Sequence, residues 1–296
     1  MNTRKAGSVV ASLLIRFSHI LLYGIAFLIA GIIIVKAAPI FSSISPGELL
    51  FTSVWHPQQG KFGFLPFIAG SLAVTILAII LSLPVCLMSS VYITEYMGRR
   101  MRKWFRMLID ILAGIPSVIF GLFGVLTIVP AVRLAGHAIG HPTTGYSLLA
   151  AGIILALMIS PFIISLSVEV LLNVPREVRE SAICLGATKW EVIRHVLLKT
   201  SWPGILAAVV LGLARAVGET MAVMMVAGNV VRLPGHLLDP VYPLPALIAN
   251  NYGEMMSIPK YDSALLFAAL ILMLLVGAFS ITAHLVLSRM QRRYSA

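Results

Sequence analysis

The sequence predicts an all-α integral membrane protein with six transmembrane helices. Hydrophobic residues fill 59% of 296 positions and charged residues only 11%, where a soluble domain carries about 25% charged residues. The mean hydropathy of +0.98 is too high to divide into a soluble core and surface. Runs able to cross a bilayer, which takes about 20 apolar residues as a helix, recur six times, over residues 17–38, 64–94, 105–132, 146–171, 203–231 and 263–288.

The first run follows Arg4 and Lys5 and ends at Ala37-Ala38, the outline of a signal peptide. Its apolar stretch, Phe17 to Val35, exceeds the 7–15 residues of an h-region, so it is read as an uncleaved first span. The second run is long and is expected to begin as an interfacial segment. The third is interrupted by Pro116 and Ser117. A proline in a membrane helix frees a carbonyl and bends the chain. That is either an ordinary kink or an exposed polar group of the kind broken transporter helices use. The fourth contains Pro161. The fifth has Gly204, Ala208, Gly212 and Ala216 at a spacing of four, a small-residue face expected to pack against a neighbouring helix. It also holds Arg215 and Glu219. Asp110 and Glu169 fall near span ends, where carboxylates reach the interface. The chain divides into 1–63 (tail, first span and outer loop), a core over 64–288 with a charged loop at 172–202, and a tail at 289–296.

The formal net charge is +11, and no basic patch interleaved with aromatics points to nucleic acid. Orientation explains the charge instead. With the N-terminus inside, sixteen of the 22 Lys and Arg fall in the inner segments and five in the outer ones. The positive-inside bias then places both termini in the cytoplasm. The outer loops, 39–63, 133–145 and 232–262, are rich in Pro and Gly and offer either plain connections or a docking surface for an external partner. Cys86 and Cys184 do not make a disulfide framework.

No GxxxxGK[ST] phosphate loop, HExxH, GxSxG or Cys/His cluster occurs, so an energy source must be a partner or an ion gradient. The stretch from Val174 to Asn229 is the unusual one. Pro175 can start a helix, with Glu177 and Glu180 favourable in its first turns. Gly186 permits a turn. Trp190, Ile193 and Leu197 then recur at helical spacing, and the segment runs into the fifth span. Two readings stand: an amphipathic helix on the membrane surface, or a docking elbow whose small residues admit a partner.

Glu180-Ser181-Ala182, three residues, then Gly186 resembles the EAA motif of ABC importer permeases. That resemblance implies a MetI-like type I importer permease core, with Glu180, Ala182 and Gly186 on a coupling helix that meets an ATPase subunit. The motif's later Ile-x-Leu-Pro is here Val196-Leu197-Leu198-Lys199, with Lys in place of Pro. Gly212–Val223 (GLARAVGETMAV), Ala113–Gly124 (AGIPSVIFGLFG) and Ile159–Ile163 (ISPFI) resemble segments of the phosphate importer permeases of the PstC/PstA family, closer to PstC. The likeness covers residues 64 to 288. It implies a homologous permease partner, two cytoplasmic ATPase subunits that bind ATP and Mg, an extracytoplasmic phosphate-binding protein, no cofactor in this chain, and residence in a bacterial or archaeal cytoplasmic membrane.

Arg215 and Glu219 are four apart, so on a continuous helix they share one face. A charge at the bilayer centre costs about 2.5–3.5 kcal/mol, and such residues face a bundle interior or a water-filled cavity. One reading is a structural pair that fixes packing. The other, favoured by the resemblance, is a phosphate path lined by Arg215, Glu219, Pro116 and Ser117, with Glu219 tethering an arginine whose planar fork suits the anion. An ion-coupled secondary transporter and a permease for another oxyanion remain as alternatives.

Overall fold

Proline and glycine punctuation, more than apolarity, decides where helices start and stop in the computed structural model, which describes residues 2–42, 44–253 and 258–294. Residues 254–257 of the outer loop and the last two residues of the tail lie outside the described set. In chain order the helices are α1 (Asn2–Ala37), α2 (Pro46–Phe51), α3 (Leu65–Glu95), α4 (Arg99–Ala113), α5 (Ser117–Phe123), α6 (Val129–Ala138) and α7 (Leu148–Leu172). They continue with α8 (Arg176–Cys184), α9 (Lys189–Glu191), α10 (Leu198–Val217), α11 (Met221–Met224), α12 (Leu244–Asn251) and α13 (Tyr261–Tyr294). A two-stranded hairpin, β1 (Trp55–His56) with β2 (Lys61–Phe62), sits between α2 and α3.

Among the described residues, six helices are long and apolar enough to span a membrane, matching the predicted number. The second and fourth predicted runs coincide with α3 and α7 to within two residues. The third does not. Residues 99–113 form a separate amphipathic helix, α4, and the span is Ser117–Ala138, built from α5, a π-helical turn at Gly124–Ile128, and α6. Gly114 closes α4, and Pro116 at φ −58°, ψ 140° holds extended backbone before α5 begins. Pro116 therefore separates two helices, α4 and α5, and does not kink a continuous one. The fifth run is displaced as well. One helical span, Lys189–Val217, includes α9, a π-helical turn at Val192–Leu197, and α10. It stops at Gly218, well short of residue 231.

The central helix is α7, with 61% of its most apolar window buried against 6% for the first span. It packs on α3, α10 and α4. Gly152 admits Leu77 of α3, where a Cβ would lie 2.6 Å from the leucine side chain. Gly204 and Gly212 of α10 admit Val170 and Ile163 of α7, at 2.5 and 2.7 Å from a would-be Cβ, and Ala208 and Ala216 are buried. The small-residue face is thus a packing face, as its spacing predicts. A second core joins the ends of α1, α3, α12 and α13 around Trp55, Phe62, Phe64, Phe67, Tyr242 and Tyr261. Its rings meet mostly edge to face, an arrangement their quadrupoles favour.

The two ends of the bundle differ. One, the basic end, carries α4 and α8. At the other, the loop end, the segment after α11 folds over the start of α7. There the N–H groups of Ser147, Leu148 and Leu149 donate to the carbonyls of Val226, Asp239 and Leu237, and Ala150 N–H donates to Ser147 Oγ. Four donors that a helix start leaves orphaned are thereby satisfied. Asp239 anchors this cover by accepting from Gly235 and His236 N–H, each at 3.0 Å. Burial pushes its carboxyl pKa up, but those two bonds and the nearby Arg232 outweigh burial and hold it below the ordinary carboxylate value.

Candidate functional site: a helix break at mid-depth and a coupling elbow

The apolar run that carries Arg215 is continuous in sequence, but its helix is not. Gly218 ends α10, Glu219 and Thr220 turn the chain, and a single turn, α11, follows. Arg215 therefore occupies the last turn of α10, where a cation meets the partial negative charge of a helix C-terminus. Its guanidinium carbon lies 5.4 Å from the centre of the Phe162 ring on α7, within cation–π range. Phe162 lies roughly 21 Å from the start of α7 and 15 Å from its end at 1.5 Å per residue. The arginine is thus near mid-depth.

The expected Arg215–Glu219 ion pair does not form. Residues four apart share a face only on an unbroken helix, and α10 ends between these two. No carboxylate of a described residue lies within 4.0 Å of Arg215. Glu219 turns the other way, into a narrow notch lined by Ser71, Thr75, Leu155 and Pro243. There its Oε1 accepts the N–H of Ala222 at 3.2 Å, satisfying one orphaned donor of α11. Arg215 is exposed on the bundle surface.

Pro116 and Ser117 belong to the same depth. Gly124 and Gly121 press against Val226, Ile154 and Met225, which sets the height of α5 beside α7. Seven residues back toward the basic end, roughly 10 Å at helical rise, lies Ser117 at the start of α5. Two helix breaks, the N-terminus of α5 and the C-terminus of α10, thus fall near one plane. Non-helical backbone at membrane depth is tolerated where it is buried in protein or lines a water-filled cavity.

The elbow is a helix, a tight turn and a second helix. In α8, Ala187 N–H donates to Ala182 O and Gly186 N–H to Ile183 O, at 3.1 and 2.9 Å, the two bonds of a Schellman closure. Gly186 has φ +85°, a left-handed value that favours glycine. Thr188 then caps the next helix in a reciprocal box with Glu191. Of the three motif residues, Glu180 and Gly186 are exposed. Ala182 is half-buried against Val192, Ile193 and Leu197, so its small size serves packing inside the elbow. The exposed tip is apolar: Ile183 is 59% and Leu185 89% exposed.

Two residues that no motif marked hold the elbow in place. Arg179 donates to Glu95 Oε1 at 2.7 Å and to the carbonyl of Leu171 at 2.7 Å, tying α8 to the ends of α3 and α7. Arg102 donates to the carbonyls of Ile93, Thr94 and Met97, closing the end of α3. In the sequence both look like part of the general basic bias, because Arg179 and Glu95 are 84 positions apart.

A bundle with paired helix breaks at mid-depth and an apolar-tipped elbow feeding one of the broken helices fits one class, the membrane-spanning subunit of a transporter. Residues 82–293 match the family model of the binding-protein-dependent transport system inner membrane component, and the chain belongs to that family. Among its relatives, the phosphate transport system permease protein PstC of Xylella fastidiosa strain Temecula1 is 37% identical over 261 residues, covering 83% of this chain and 80% of that protein. The protein of the same name from Haemophilus influenzae is 33% identical over 262 residues, with 83% and 82% covered. The fold matches the MetNI methionine ABC transporter in inward-facing form, with TM-score 0.57, 21% identity, and 74% and 92% of the two chains covered. It also matches a bacterial ABC transporter that imports alginate, with TM-score 0.64, 17% identity, and 97% and 96% covered. This chain is a multi-pass inner-membrane permease with a type I importer fold.

Proposed function

We propose that this chain is the transmembrane permease subunit of an ATP-driven phosphate importer, forming the translocation path and coupling it to ATPase subunits at the basic end. The observation that carries the proposal is Arg215, a cation at mid-depth with no anionic partner among the described residues. Facing lipid there would cost about 2.5–3.5 kcal/mol. A water-filled path for an anion removes that cost, and the likeness to phosphate transport system permeases supports phosphate as the anion. Arg215 and Ser117 border the path, Pro116 sets the start of α5 there, and Glu219 braces the break beside it.

The basic end is cytoplasmic and both termini lie on that side, by the positive-inside bias. A homologous permease chain covers the exposed apolar face of α4, α5 and the π-helical turn that follows, where Trp104, Ile111, Leu122 and Leu126 are open, and this face together with that chain encloses Arg215. The core over 64–288 carries these contacts. Two ATPase subunits take the Leu185 tip, Glu180 and Gly186. ATP and Mg bind those subunits, and this chain itself has no ATP site. An extracytoplasmic phosphate-binding protein delivers the anion to the loop end. ATPase closure moves α8, and Arg179 passes the movement to α3 and α7. The helical span from Lys189 carries it to Arg215, roughly 39 Å away at helical rise.

The test is reconstitution of the complete complex in liposomes. Phosphate uptake that needs both ATP at the basic end and binding protein at the loop end is expected. Uptake by this chain alone on a proton gradient would contradict the proposal, and efficient competition by sulfate or molybdate would change the anion.

A further inference from the structure

On the basic-end side of Arg215 an open cavity of about 910 Å³ lies between α4 and α7. Its walls include Arg100, Lys103, Trp104, Arg106, Asp110 and Ser165. Ser165 stands three residues beyond Phe162 on α7, on a neighbouring face of the helix, so the cavity opens roughly 4.5 Å below the level of Arg215. The positive-inside bias explains cations at this end, but not their convergence on one cavity. Arg102 on the same helix is committed to α3 carbonyls, and Arg179 to Glu95. Arg100, Lys103 and Arg106 have no carboxylate of a described residue within 4.0 Å.

We infer that this cavity is a release site that takes the phosphate anion after it passes Arg215. This rests on the function proposed above. The two guanidinium forks and the ammonium supply donors to a tetrahedral oxyanion, and the Ser165 hydroxyl supplies one more. Asp110 offsets one of three positive charges, which keeps the hold weak enough for the anion to leave. Trp104, 59% exposed, stands in the wall as a reporter. A phosphate group can also reach the cavity as a phospholipid headgroup, and the experiment separates the two sources.

The full chain in nanodiscs of zwitterionic phosphatidylcholine is titrated with inorganic phosphate against chloride at fixed ionic strength, following tryptophan fluorescence. A saturable change is expected that disappears in Trp104→Phe. In Lys103→Gln/Arg106→Gln it should move at least about tenfold to higher phosphate, as expected for two lost charge-assisted bonds. The milder Ser165→Ala should move it in the same direction and serves if the double variant does not fold. An equal response to chloride, or midpoints unmoved in these variants, overturns the inference. So does a response that appears only with phosphatidylglycerol in the nanodisc and is unchanged by inorganic phosphate. The failure of each reading has its own signature. A wild-type complex that imports phosphate while its chain gives no Trp104 response removes only the release site. A Trp104 response in a chain whose complex imports no phosphate removes the assigned function and with it the release role, and leaves a phosphate-binding cavity.

Discussion

Arg215 and Glu219 do different jobs although they are four residues apart. The arginine sits at a helix end over Phe162 and faces outward. The glutamate accepts a backbone N–H and faces a notch. A tethered pair would make both side chains equally necessary. The observed geometry instead predicts that Glu219→Gln, which keeps the accepting oxygen, holds phosphate uptake within about threefold, since a neutral acceptor replaces a charged one in a single bond. Glu219→Leu leaves the Ala222 N–H without its partner and should lower uptake more. Equal, complete loss in both variants would restore the ion-pair account. At the loop end, Asp239 has a folded-state pKa below its unfolded value of about 3.9. Its contribution is therefore complete above the unfolded pKa and is lost only as pH falls through the lower folded one. Limited proteolysis of the 232–239 loop should be unchanged between pH 8 and pH 5, and should speed up at all those pH values in Asp239→Asn.

The elbow is the element in which backbone geometry and the proposed docking can be separated. A side chain at φ +85° costs about 1–2 kcal/mol for most residues, and asparagine tolerates that region best. Gly186→Asn should therefore preserve the fold and ATPase binding, Gly186→Ala should lower thermal stability, and Gly186→Asp should abolish co-purification of the ATPases. Wild-type binding in Gly186→Asp would remove the docking assignment. The strut behaves differently. Arg179→Met leaves the half-buried Glu95 unpaired and strips a bond from Leu171, which should cost about 1–3 kcal/mol. Adding Glu95→Leu should recover much of that stability, because no unpaired charge remains, without recovering ATP-coupled uptake. Recovery of both would make the strut merely structural. Apolarity located α3 and α7 to within two residues because these helices are apolar throughout. It missed the ends at Gly114–Pro116 and Gly218, because transfer free energy runs smoothly across a dihedral break. The GIP triplet and Gly218 were visible in the chain, but their effect depends on what packs around them. Arg179 and Glu95 meet only in three dimensions, so no local pattern announces them.

At the scale of the whole molecule, six spans, a basic end and a loop end make one oriented device, with the elbow joined directly to the helix whose last turn carries Arg215. The six-span architecture and the motif-bearing elbow were readable from composition and short patterns, whereas the mid-depth plane of helix ends was not, since it arises from the heights at which α5, α7 and α10 pack. Orientation has a native reporter. Cys184 on α8 is exposed and Cys86 is buried, so a membrane-impermeant thiol reagent should label the chain in inside-out vesicles and not in right-side-out ones, and bound ATPase should slow that labelling. Whether phosphate crosses at Arg215 is read from uptake of labelled phosphate by the assembled transporter carrying Arg215→Gln. An intact complex is expected whose uptake falls at least about a hundredfold, the scale of a lost charge-assisted contact at membrane depth. Wild-type uptake by that variant would contradict a crossing at Arg215.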